Sequence, residues 1–588
     1  MTLKEYQKKL KKEYQDSFKN YEVKPSVHRF KFKWYYAIFA VLCIGFLGLL
    51  IQHAYVESYN SKIDAWIEKN AEIRNNPISM DSSKLNAVES NQGYKDLLVK
   101  YGFLNIPPKK TSILQLIFMG SEKNVGSEGN GNDLELMPPT TDMNQGPSSF
   151  QTNVQTTGID EADIAKSDGT YIYALCDSGL KIFDLNGNVV VTAEEDCGQQ
   201  LFLYENKIIT LGSKKVMVYE FRKNSLSLFH KEEFESYVTA RRKNNFLYIV
   251  TSSEIEEENL DYEVCFHDGV SSPQRLYSIR KLDLETGEVN EVQSLTGSVA
   301  AVYASQNAFY LASRVSYRDI TAISMYSYDL EPIGVMKVQG SVLNQFSMDE
   351  FDSYFRVAYT NQSAPAEELN AISIFSIKNQ LKEVGSIKKG IGKGHQIIKS
   401  VRFEKETCYV VTYLNTDPLY EIDCSNPEAP KIVSAYEAPG YSNYLHHFQI
   451  KGQDYVLGLG FTDSGTSTKI SVYQDTEETT QIGYDYILSS THKEVEVPDY
   501  YGYIDIQMFS NHKALFFYQD EQYLYMGAKI YHNKYLIFKI DVTNEQYPVT
   551  IYKDFEISYD KNRGARVFLI HGTIYLFDGK VLKLSSWN

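Results

Sequence analysis

Tryptophan, proline and cysteine are scarce in this 588-residue chain, with 3 Trp, 16 Pro and 6 Cys. So few cysteines exclude a small fold stapled by disulfides. Cys43 lies in an apolar run, which leaves Cys176, Cys197, Cys265, Cys408 and Cys424. Their number is odd and no two sit at metal-ligand spacing, so they read as buried small hydrophobes, with a Cys176–Cys197 pair as the open alternative. Catalytic signatures are missing as well. No His-Glu-x-x-His occurs, and the glycine-rich stretch 390–396 (GIGKGHQ) lacks the order of a phosphate-binding loop. Residues 440–444 (GYSNY) lack the second glycine of a nucleophile elbow around Ser442. These absences exclude enzymes that carry a compact local motif. They leave open a hydrolase whose site is assembled from distant parts of the chain.

Positive charge is scarce outside one segment. The net charge is −16, yet residues 1–33 hold ten Lys/Arg against four acids, so the rest of the chain carries −22. An acidic bulk excludes a surface that tracks nucleic-acid phosphates, whose affinity comes from Lys and Arg. Directly after the basic segment, residues 34–51 (WYYAIFAVLCIGFLGLLI) contain no charged or amide side chain. A helix of that length covers about 27 Å, close to the thickness of a bilayer core. Counted to Tyr55, the run has aromatic residues at both ends, as interfacial belts prefer. It is longer than a signal-peptide core, and Gln52, His53 and Ala54 offer no small-x-small cleavage site. The expectation is an uncleaved, single-pass anchor at 34–55 in contact with the lipid bilayer. The positive-inside rule puts the basic tail 1–33 in the cytoplasm and the remainder outside the cell. That tail either only sets topology or also lies along the inner leaflet.

Beyond the anchor, residues 56–118 read as a helical membrane-proximal stalk, with Ile63, Trp66, Ile67 and Ile73 at helical intervals. Residues 119–150, rich in Gly, Ser, Asn and Pro, read as a flexible linker. From about residue 151 the texture changes to short apolar strands separated by Asn, Gly and Asp turns. With 46 Tyr and 30 Phe, the composition suits pleated surfaces. Stretches of one form recur: FLYIVTS, AFYLASR, YFRVAYT, TCYVVTY, YVLGLGF and ALFFYQD, each followed by another strand. Units begin near 160, 199, 237, 299, 342, 396, 445 and 505. That spacing predicts an all-β propeller of seven or eight four-stranded blades over 151–588. The tail 565–586 is expected to complete a blade begun at the N-terminal end and so close the ring. The Gly-His and Trp-Asp signature of WD40 chains is missing.

The stretch QTNVQTTGIDEADIAKSDGTYIYAL at 151–175 resembles the opening of a bacterial secreted β-propeller family distantly related to WD40 proteins. Further similar stretches follow in order, among them VTARRKNNFLYIVT, TDPLYEIDCSNPEAPK, PGYSNYLHH and LGLGFTDSG. Together they cover about 151–520, with departures at Ala165, Cys424, His447 and Asn511. The resemblance implies the fold and a location outside the cytoplasm. It brings no catalytic residues with it.

Two groups of residues are candidates for binding. Asp160, Glu161, Asp163 and Asp168 form the densest acidic cluster near a turn, and loop carboxylates can hold Ca²⁺, although the EF-hand spacing is absent. The same alternation also suits a strand with its acids on one face. Arg402, Asp417, Tyr444 and His446 are polar groups in the best-matched repeats; they either rim a central channel or serve the blade itself, Arg402 pairing with Asp417 across the sheet and Asp417 starting the turn before Pro418. His446 and His447 are adjacent on a strand, so they face opposite ways and cannot easily share a metal. The expectation is one packed and one exposed histidine. The function expected from all this is a binding or scaffolding module for a protein, peptide or cell-envelope ligand. The alternatives are an extracellular hydrolase using Arg402, Asp417, His446 and Asp160 in one pocket, or a structural ring with signalling by stalk or tail.

Overall fold

The computed structural model describes residues 86–88 and 149–587, apart from gaps at 194–196, 255–263, 267–274, 297, 316–319, 414–416, 439, 463–467, 475–479, 489–511, 531–533, 545–546 and 558–563. Residues 1–33, the expected anchor at 34–55 and most of the expected stalk and linker lie outside them. Among the described residues no helix is long and apolar enough to cross a membrane. Within the expected helical stalk, Asn86–Val88 is a strand paired antiparallel with Val264–Phe266.

The recurring apolar runs become hairpins where turn residues permit a reversal. Tyr171–Cys176 pairs antiparallel with Gly179–Asp184 across the two-residue turn Asp177-Ser178. Gly179 takes φ +101°, which a residue with a Cβ resists. Repetition of this unit gives nine successive sheets: 165–193, 200–233, 236–296, 298–338, 348–391, 397–438, 441–488, 516–556 and 566–586. They are blades 1 to 9. Seven are four-stranded; blade 3 is enlarged by Ile159–Glu161, Val264–Phe266 and Asn86–Val88; blade 9 has three strands.

The blade count corrects the expectation of seven or eight. Sheets do begin near seven of the eight positions anticipated, and the eighth begins at Phe516 rather than near 505. However, 165–193 supplies all four strands of its own blade, so the tail has no unfinished sheet to join. It forms a ninth blade instead, and the backbone bridge between Ser149 and Leu569 lies at that blade's inner edge.

Exposure rises towards the last strand of a blade, which lies outermost, while first strands meet the central segment. In blade 2, Lys207–Leu211 is buried throughout, whereas the last strand, Ser225–Glu233, is mostly exposed. Middle strands are apolar on both faces because each face packs on a neighbouring blade. An apolar cluster fills every interface from blades 1–2 to blades 8–9. A further cluster joins blade 9 to blade 1 through Phe568, Phe577, Ile172 and Phe183, which closes the ring. Truncating one such side chain, for example the fully buried Leu457, to Ala costs about 2–5 kcal/mol.

A segment crosses the centre of the ring. From the bridge at Ser149, Asn153 Nδ2 donates to the His512 carbonyl just before blade 8. Gln155 Nε2 donates to the Gln345 and Met348 carbonyls at blade 5, and Thr156 Oγ1 to the Ala304 carbonyl of blade 4. Gly158 then takes φ +82° as the chain turns. Ile159–Glu161 pairs with the first strand of blade 3, Asp163 exchanges backbone hydrogen bonds with Leu201 of blade 2, and Ala165–Ser167 opens blade 1. The first part of the stretch 151–175, up to residue 164, is therefore the filling of the ring, and its remainder opens blade 1.

Candidate ligand cavity at the ring centre

The central segment brings its carboxylates to cations on the inner strands. Glu161 lies 2.6 Å from Arg241 Nε, and both side chains are at most 2 % exposed. Asp163 accepts from Arg566 Nε at 2.9 and 3.0 Å and from Nη2 at 2.6 Å, again in a buried pair. Asp160 accepts from Lys166 at 2.7 Å and faces Arg242 at 3.3 Å. Asp168 caps the turn between the first two strands of blade 1, accepting from the Thr170 and Tyr171 backbone and from the Tyr173 hydroxyl.

The four acids considered for Ca²⁺ are thus distributed among separate partners rather than pooled. A cation that already faces a carboxylate removes the charge that would draw Ca²⁺. Among the described residues, no three His, Cys, Asp or Glu side chains gather as a metal site. The thiols of Cys176, Cys197, Cys408 and Cys424 are buried and unbridged. Burial pushes the Cys408 thiol well up and that of Cys424 up to about 11, so neither is a ready nucleophile.

The segment leaves space on one side of the centre. A cavity of about 430 Å³ is walled by blades 6, 7, 8 and 9 and floored by residues 149–153. Volume in this range suits a small organic molecule. Arg402 and His446, both singled out from the sequence, line it. Lys405, Lys513 and Arg566 add cations, against the carboxylates of Asp163 and Glu404. Arg566 is paired with Asp163, Lys513 lies 3.6 Å from Glu161 and Lys405 is exposed, which leaves Arg402 as the buried cation of the lining that no carboxylate of the central segment meets.

His446 is 6 % exposed and stacks on Phe517 with ring centroids 4.0 Å apart. Burial, then the neighbouring Arg402 guanidinium and His447, hold its pKa well below the usual 6.5, so the imidazole is neutral. Its Nδ1 is buried without a hydrogen-bond partner. Arg402 is 7 % exposed; its Nε has no partner, and Nη2 reaches Glu404 only at 3.5 Å.

The other sequence candidates are elsewhere. Tyr444 packs in the apolar cluster between blades 7 and 8, against Phe346 and away from the cavity lining. Asp417 begins the third strand of blade 6, opposite Ala438, and its side chain lies outside the described residues. Asp160 stays with Lys166 and Arg242, so two of the four residues named for a hydrolase site share the cavity. His447 is largely enclosed rather than exposed, with Nε2 2.7 Å from Asp454 Oδ1. Sequence reasoning missed Lys513, Phe517 and Arg566. For Arg566 the available signal was a basic residue in the first strand of a repeat, as in VTARRK, VRFEK and ARVFL, whereas Lys513 and Phe517 carried no such signal.

The described residues define a nine-bladed β-propeller with a plugged centre and a polar, aromatic-lined cavity. The chain belongs to the family described as Beta propeller domain, which it matches over residues 149–588. It is 26 % identical over 437 residues to an uncharacterised protein of Archaeoglobus fulgidus, covering 55 % of this chain and 68 % of that one. An uncharacterised protein of Methanocaldococcus jannaschii is 24 % identical over 430 residues, covering 56 % and 67 %. Among solved structures, the hydrazine synthase of Kuenenia stuttgartiensis is similar at 12 % identity and TM-score 0.31, over 54 % of this chain and 94 % of that one. Apo AztD from Citrobacter koseri is similar at 12 % identity and TM-score 0.30, over 68 % and 94 %. Similarity that low says nothing about function.

Proposed function

We propose that this chain is a membrane-anchored binding module whose propeller stands outside the cell and receives a cell-envelope ligand in its central cavity. The observation that carries the binding reading is the cavity itself, which the crossing segment leaves open beside blades 6 to 9. Its wall includes two buried polar groups that the protein leaves partly unsatisfied, Arg402 Nε and His446 Nδ1. Buried polar atoms cost free energy until they are hydrogen-bonded, so a ligand that reaches them gains affinity. The location rests on the uncharged run at 34–51 behind a +6 tail.

The test is a pull-down with the full chain in nanodiscs against native envelope material, beside a variant whose cavity mouth is blocked. Gln519 lines the cavity and is exposed, so Gln519→Trp narrows the mouth without entering the core. The reading predicts a ligand retained by the wild type and lost by Gln519→Trp. Equal retention by both would place binding elsewhere on the ring.

A further inference from the structure

The ring contains its own template for what should meet Arg402. Hydrogen-bond register puts Arg241 and Arg402 at equivalent places in blades 3 and 6. Each lies on the first strand, opposite a tyrosine of the second: Arg241 opposite Tyr248, Arg402 opposite Tyr409. Each stands two residues before the pair that closes its hairpin, Lys243 with Phe246 and Glu404 with Thr407. Both are buried. Arg241 faces a carboxylate brought by the central segment, Glu161 at 2.6 Å. Arg402 receives no carboxylate from that segment among its described contacts. Glu404, on its own strand, is 3.5 Å away and has a side chain one-quarter exposed to water, which screens it.

Arg566 of blade 9 repeats the lesson on the other flank of the cavity, since its guanidinium is taken by Asp163 of the segment. At inner-strand positions that the segment reaches, a buried guanidinium is answered by a carboxylate. A buried cation without such a partner is costly, and a planar guanidinium matches a carboxylate in two hydrogen bonds. The same cavity is lined by Phe448, Leu515 and Phe517, with Phe517 against His446. The ring of His446 lies flat on Phe517, and as a neutral imidazole it carries one N–H.

We propose that the cavity recognises a small organic acid with an aromatic body. Its carboxylate takes, at Arg402, the place that Glu161 takes at Arg241, and its ring lies against Phe517 and Phe448. His446 adds a hydrogen bond to the carboxylate. This rests on the cavity reading above and narrows it to one ligand chemistry. Because the anion is supplied from outside, occupancy satisfies Arg402 only when ligand is present.

The experiment is calorimetric titration of the full chain in nanodiscs with phenylacetate, phenylacetamide and inorganic phosphate. Arg402→Gln, Arg402→Lys and Gln519→Trp are titrated alongside, and thermal unfolding confirms that each variant is folded. Phenylacetate is expected to bind at least tenfold more tightly than the amide or phosphate. Arg402→Gln should erase that preference while leaving the weaker amide binding in place, and Arg402→Lys should recover only part of it. Gln519→Trp should lower binding of both aromatic probes. Equal binding of acid and amide would overturn the carboxylate assignment while leaving a cavity that binds ligands. Phosphate equal to phenylacetate would overturn the aromatic part. No binding by any probe would overturn the inference, and the envelope pull-down would then decide the binding reading separately.

Discussion

Arg241 in blade 3 and Arg402 in blade 6 occupy the same register position, yet one is closed off and the other opens onto a cavity. The difference comes from the path of residues 149–164. That segment pairs with blade 3 along Ile159–Glu161 and so delivers Glu161 to Arg241. Beside blades 6 to 9 it forms only a floor, and the space above stays open. A repeat architecture therefore makes chemically similar positions, and a single non-repeating segment decides which become structure and which become site. Breaking the ring's symmetry is what makes one blade different from another.

The largest effect should follow from disturbing the closed side. Glu161→Gln leaves the Arg241 guanidinium buried without its carboxylate, and removing one partner of a buried ion pair costs about 3–5 kcal/mol. Chemical denaturation should show that loss. Asp163→Asn should behave likewise through Arg566. A loss below about 1 kcal/mol in both variants would mean that the paired side is not held by these carboxylates.

A smaller effect separates the two sides by pH. The folded protein keeps His446 neutral below its ordinary pKa of 6.5, whereas the unfolded chain takes up a proton there. The unfolded state then binds more protons, so the stability contributed by His446 is intact above about pH 6.5 and falls as the pH drops below it. Melting temperatures between pH 7.5 and 5 should fall less steeply for His446→Gln than for the wild type. Identical slopes would mean that the imidazole is not held neutral.

The smallest effect on stability should come from Arg402 itself. Arg402→Met removes a buried cation that the fold does not fully answer while keeping an unbranched apolar stem, so stability should change by no more than about 1 kcal/mol. Denaturation midpoints compared with those of Glu161→Gln give the contrast directly. A loss for Arg402→Met as large as for Glu161→Gln would erase the distinction between the open and the closed side.

Much of the fold was legible because its signals are local. Tyr-aliphatic runs such as FLYIVTS and TCYVVTY, with Asx and Gly turns between them, marked hairpins, and all but the eighth of the unit starts fell near real sheets. The ninth blade was not legible, because a three-stranded tail reads the same whether it completes another blade or stands alone. Only the pairing of 165–193 as a full sheet decides that. For the site, Arg402 and His446 stood out as polar residues inside apolar repeats, and both line the cavity. The acids at 160–168 stood out too, but nothing in their spacing could show that Arg241, Arg242 and Arg566 would come from distant strands to meet them.

By itself the sequence determined that the chain builds many similar strand units, since hairpin formation depends on neighbours a few residues apart. It also determined the uneven distribution of charge, a basic head on an acidic body. Tertiary structure alone decided how many blades close the ring, where the non-repeating segment runs, and which inner-strand cation is left facing open space. Those outcomes rest on contacts between residues hundreds of positions apart, such as Asp163 with Arg566, and no local pattern encodes a meeting at that range.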